Sequence, residues 1–193
     1  MKPEEIRHKG PDRFFHWLMA TLVIILLGTS FLPILGINFN WVPTHWISGV
    51  LLTFAVIFHL YRVTFIHGIS TMMPNRREIT FWKSQTFSND QKYDINQKLY
   101  HWAVSLILLI LLITGCLMLA KIDTPFWQRD PSILSDWSWG IVYTLHGAAS
   151  MLLIFFFFLH IYFTLLPEHR ILLISMVYGK SKTGSDSKGK SSS

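Results

Sequence analysis

The sequence predicts an all-α integral membrane protein, a four-helix bundle with both termini cytoplasmic, and three observations carry that expectation. Four long apolar stretches, about residues 14–35, 46–66, 99–120 and 139–166, dominate a chain of 193 residues that is 51% hydrophobic and 15% aromatic. Each is long enough to cross the hydrocarbon core of a bilayer. Basic residues fall on alternate sides of these stretches, and histidines recur inside them at matched depths. The composition excludes a disordered chain and argues against an ordinary soluble domain.

The charge pattern sets the topology. Lys2, Arg7, Lys9 and Arg13 precede the first stretch, and the connection from Pro33 to Thr44 carries no Lys or Arg. The second connection holds Arg76, Arg77, Lys83, Lys92 and Lys98. The third has only Lys121 and Arg129 among Asp123, Asp130 and Asp136, and the C-terminus has Arg170, Lys180, Lys182, Lys188 and Lys190. By the positive-inside rule the termini and the long middle loop face the cytoplasm. The net charge of +6 therefore reads as topology, and no basic face outside these flanks suggests nucleic acid.

The first stretch opens with Asp12-Arg13-Phe14-Phe15-His16-Trp17. It is too long for a cleavable signal, and no small-residue cleavage site follows it before Trp41, so it is expected to stay in the protein. His16 then lies just inside the hydrocarbon on the cytoplasmic side, with Trp17 as an interfacial anchor. The connection that follows, with Pro33, Gly36, Asn38, Asn40 and Pro43, is rich in turn formers.

The second stretch starts with Thr44-His45-Trp46-Ile47-Ser48-Gly49, placing His45 at the outer end. Gly49, one turn on, removes a side chain where a flat ring could approach; close helix packing explains such a glycine equally well. His59 follows fourteen residues after His45, near the cytoplasmic exit, and Arg62 comes just after it. Arg62 is suited to a cofactor carboxylate or lipid phosphate, with a solvated flanking charge as the plainer explanation.

The middle loop, His67 to Asn96, is polar, and Trp82 and Phe87 are placed to rest on the interface. It runs into Tyr93-Asp94-Ile95-Asn96-Gln97-Lys98-Leu99-Tyr100-His101-Trp102 at the cytoplasmic start of the third stretch. These polar groups fit contacts to a quinone head group, and a capped helix start with Asp94 or Asn96 fits them too. Cys116 is the only cysteine, so the chain has no intrachain disulfide, iron–sulfur cluster of its own or covalent haem motif.

The third connection, Lys121 to Ser138, combines two prolines and three aspartates with Trp127 and Trp137 beside Trp139, suited either to an outer-side partner or to an aromatic belt. The last stretch carries His146 and His160, fourteen residues apart, with no charge between them. Fourteen steps of about 100° return almost to the starting azimuth, so both imidazoles face one side of one helix, roughly 21 Å apart along its axis. The domain is expected to end near residue 180, and the Gly/Ser/Lys tail 181–193 should be disordered.

An imidazole in hydrocarbon is costly without a partner, and metal ligation is its commonest strong use. Two such residues at opposite depths suggest two stacked metal centres. Haem is the natural occupant, because axial histidines hold its iron while the macrocycle is apolar enough for a helix bundle. By depth His45 matches His146. His16, His59 and, more weakly, His101 all compete to face His160. Histidines that relay protons in a haem-free anchor or transporter are the contrasting explanation.

Four segments, Asp12 to Trp17, His45 to Gly49 with Arg62, Tyr93 to Trp102, and the His146 to His160 helix, resemble the bacterial di-haem cytochrome b family, nearest to the gamma (cytochrome b) subunit of membrane-bound formate dehydrogenase. The resemblance implies two b haems stacked across the bilayer, an outer one on His45 and His146 and an inner one on His16 and His160, with His59 left as the alternative inner ligand. It implies a quinone site, for menaquinone or ubiquinone, at the segment holding Asp94, Asn96, Gln97 and Lys98, where Asp94 and Asn96 replace the usual Asn and Gly. It further implies an iron–sulfur subunit and a molybdenum or tungsten catalytic subunit as partners, in a bacterial inner membrane. In such a complex this chain is non-catalytic for the primary substrate and carries the quinone-reducing site. A cytochrome b of a hydrogenase or of a thiosulfate or polysulfide reductase, or a free-standing cytochrome b, would share these features.

Overall fold

A computed structural model describes residues 5–6, 10–67, 95–167 and 170–181 of the protein. The described residues are almost entirely helical, and four of the helices are long and apolar enough to cross a membrane. They are α1 (Gly10–Phe31), α2 (Trp41–Arg62), α3 (Ile95–Met118) and α4 (Asp136–Leu165). A shorter helix, α5 (Arg170–Tyr178), which the apolar pattern does not reveal, follows. Large apolar side chains such as Ile24, Phe54, Leu106 and Phe158 are exposed along the spanning helices. That is the surface expected where lipid rather than water is the solvent.

The helix ends depart from the apolar stretches for local reasons. α1 stops at Phe31 rather than at residue 35, because Pro33 cannot donate to the helix and restricts Leu32 before it. The chain then turns through Gly36 at φ 86°, a conformation glycine adopts freely, and its N–H donates to Pro33 O. α2 starts five residues earlier than residue 46: Pro43 sits in its first turn, where a missing N–H costs nothing. α2 continues through a π-helical turn at Val63–His67. α3 takes in the polar residues from Ile95 onward as its opening turn. α4 is capped by Ser135, whose Oγ accepts the N–H of Ser138 and whose carbonyl accepts that of Trp139.

The chain divides into two compact units, Met1–Thr21 with Phe156–Ser193, and Leu22–Phe155. In the larger, Leu22, Leu52, Ile107, Val142, Ala149 and Leu153 are buried. The connection between α3 and α4 is closed by hydrogen bonds: Asp123 accepts the N–H of Arg129, Trp127 Nε1 donates to Leu119 O, and Asp130 N donates to Ala120 O at 2.7 Å. The Ser132 hydroxyl and amide both donate to Asp130, holding its carboxyl below the usual carboxylate range. Trp139, only 2% exposed, donates from Nε1 to Pro131 O, with Lys121 Nζ over its ring at 4.6 Å. Trp139 is thus an internal anchor of this connection, whereas Trp137 is 77% exposed.

In the smaller unit the Arg13 guanidinium donates to Met176 O at 3.2 Å and to Val177 O, tying the start of α1 to the end of α5. Gly179, at φ 81°, ends α5 with its N–H on Ser175 O. Glu5–Ile6 pairs antiparallel with Lys180–Ser181, so Ser181, expected in the tail, belongs to a two-residue ladder. Residues 182–193 lie outside the described residues.

Candidate haem-binding histidine pairs

Six histidines have described side chains, and all six fall into three pairs. His45, one turn into α2, and His146 on α4 have ring centroids 6.5 Å apart at an interplanar angle of 70°. His16 on α1 and His160 on α4 lie 6.4 Å apart at 49°. His59 near the end of α2 and His101 on α3 lie 6.4 Å apart at 67°. The first and third pairs belong to the larger unit, the second to the smaller.

This spacing has a chemical meaning. Two imidazoles bound to opposite sides of one metal ion, each at about 2 Å, set their ring centres roughly 6 Å apart. Each pair meets that requirement, so spacing alone does not choose among them. The ring that His59 faces is that of His101.

The His45/His146 pair has further support around it. Thr29 Oγ1 lies 2.8 Å from His45 Nδ1, and Thr114 Oγ1 lies 2.9 Å from His146 Nδ1. Neither threonine stood out in the sequence; the available signal was a hydroxyl residue inside an otherwise apolar stretch. Trp41 and His45 stand nearly perpendicular with ring centroids 6.1 Å apart, as do Trp17 and His16 at 5.4 Å. A Cβ on Gly115 would meet His146 Cε1 at 3.5 Å, an ordinary contact, so Gly115 lies directly beside this ring. Residues 7–179 match the family of prokaryotic cytochrome b561.

The chain belongs to that family. It is a multi-pass membrane cytochrome b, an electron-transfer type of subunit for which haem b is the family's cofactor. Similar proteins include the formate dehydrogenase cytochrome b556 subunit of Haemophilus influenzae, 26% identical over 180 residues that cover 81% of this chain and 69% of the relative. The formate dehydrogenase cytochrome b556(fdo) subunit of Escherichia coli K12 is also 26% identical, over 171 residues covering 81% and 77%.

In this cytochrome b the remaining expected site residues are placed as follows. A side chain at Gly49 would meet only the end of Leu26, at 4.0 Å, so helix packing does not demand the glycine. Arg62 is the last residue of α2, one turn beyond His59. Of the segment expected to contact quinone, Asp94 lies outside the described residues and Asn96 is in the first turn of α3. Gln97 is exposed, whereas Lys98 is buried, at 6% exposure, one turn before His101.

Proposed function

We propose that this cytochrome b is a bacterial inner-membrane subunit passing electrons between an outer-side iron–sulfur partner, with its molybdenum or tungsten catalytic subunit, and the quinone pool. The observation that carries the reading is the pair of histidine pairs drawn from α4: His146 with His45 and His160 with His16, each at the separation one metal ion needs. Haem bound at each pair supplies reversible one-electron transfer. His45 and His146 hold the outer group, His16 and His160 the inner, and Gly49 leaves room for a flat ring. Arg62, at the end of α2, pairs with a propionate. Lys98 and Gln97, with Asp94 and Asn96, form the quinone side at the cytoplasmic end, where protons are taken up as quinone is reduced. The formate dehydrogenase names of the relatives favour formate as the partner's substrate.

An optical spectrum of the detergent-purified chain, oxidised and dithionite-reduced, with haem quantified per polypeptide, tests this. Two b-type haems per chain support the reading. One means that a pair is misassigned, and none, in folded protein made with adequate haem supply, overturns it in favour of an anchor or proton-relay transporter. Copurification of an iron–sulfur and a formate-oxidising subunit tests the partner; a hydrogenase or sulfur-compound reductase in their place redirects it.

A further inference from the structure

Thr29 and Thr114 sit on different helices and make matching contacts. The Thr29 hydroxyl lies 2.8 Å from Ile25 O and 3.0 Å from Leu26 O, the carbonyls one turn back, besides its 2.8 Å contact with His45 Nδ1. The Thr114 hydroxyl lies 2.7 Å from Ile110 O, 3.2 Å from Leu111 O and 2.9 Å from His146 Nδ1. Both residues are buried, at 6% and 4% exposure.

A hydroxyl has one hydrogen, and a carbonyl can only accept. With the hydroxyl hydrogen committed to the backbone one turn back, the contact to each ring is left to an Nδ1–H donating to the threonine oxygen. We infer that Thr29 and Thr114 are positioning residues that hold His45 and His146 as matched Nδ1–H tautomers, freeing Nε2 of each ring as the metal-binding nitrogen and making both rings stronger donors. The inference rests on the haem reading above and extends it to two residues that touch neither iron nor quinone.

The physical effect has a sign. A threonine oxygen that already donates to a carbonyl is a better acceptor, since linked hydrogen bonds polarise one another. The imidazole donating to it gains basicity, as ligands backed by such partners do. A more basic ligand favours the higher positive charge, so the two threonines stabilise the oxidised metal and lower the reduction potential of this site. Ser30 Oγ, 3.5 Å from His45 Nδ1 and bonded to Leu26 O, is the nearest substitute for Thr29.

The test uses the haem-loaded full chain in detergent, with potentiometric titration and haem quantified per polypeptide. His45→Ala and His146→Ala first identify which spectral component belongs to this site; if neither removes a haem, the haem assignment itself fails. Thr114→Val, and Thr29→Val with Ser30→Ala, should then raise the potential of that component alone, a tenfold loss of preference for the oxidised state reading as about 59 mV. They should also weaken haem retention there, by about 10- to 100-fold. Thr→Ser at each position should restore wild-type values. Unmoved potentials with haem retained in the Val variants would overturn the inference, as would Ser variants that behave like Val, because the methyl packing rather than the hydroxyl would then be at work.

Discussion

His59 and His101 face one another from α2 and α3 with ring centroids 6.4 Å apart. The separation equals that of His16 and His160. His59 shares α2 and a fourteen-residue step with His45, which made it a rival for the inner haem; its observed neighbour is a histidine on α3. Replacing His59 by Ala should therefore leave two haems per chain, as pyridine haemochrome quantification would read. Loss of one haem would reassign the inner pair.

The opposite outcome is expected at His146 and His160. Replacing either by Ala removes one proposed iron ligand and should cost the haem at that level only, leaving one per chain, with quinone reduction by the assembled complex lost in both variants. A variant that keeps both haems would refute its ligand assignment.

Gly115 offers a steric test of the same geometry. An Ala there adds a Cβ at ordinary contact distance, 3.5 Å from His146 Cε1, and should be tolerated. Val adds two methyl groups beside the one neighbour within 4 Å, the His146 ring, and overpacking against that ring costs about 1–3 kcal/mol. Gly115→Val should deplete the His45/His146 haem selectively, and an unchanged reduced spectrum would show that the space is not needed.

Lys98 is nearly buried in the opening turns of α3. Lys98→Met keeps the length and apolar stem of the side chain and removes its charge. Steady-state assays with a short-chain quinone should show impaired quinone reduction with both haems retained. Unchanged kinetics would place the quinone elsewhere.

Trp139 tests what holds the connection between α3 and α4. Its ring is fully packed and its Nε1 bonds Pro131 O at 2.8 Å. Trp139→Ala should destabilise the protein by about 3–5 kcal/mol, the range for large aromatic truncations in cores. Trp139→Phe retains most packing and should cost less, near the roughly 1 kcal/mol of one hydrogen bond plus the volume lost. Thermal unfolding followed by the haem band would rank the two variants.

The four spanning helices and the histidine ladder on α4 were legible in the sequence because their signals are local. Twenty apolar residues need no tertiary information to mark a membrane span, and a fourteen-residue step on a helix of 3.6 residues per turn fixes two side chains to one face by geometry alone. Helix ends were less legible: Pro33 ends α1 early and Pro43 enters α2, and which role a proline takes depends on where the neighbouring turn begins. α5 and the burial of Trp139 were hidden, since nine residues are too few to stand out as a span, and a tryptophan at an interface and one packed inside read the same in a sequence. Which histidine faces which was also beyond the sequence where depths coincide. Depth is set by position along one helix, but partnership is set by how helices rotate and pack against each other, and only that packing brought His59 to His101 and set Thr29 and Thr114 behind His45 and His146.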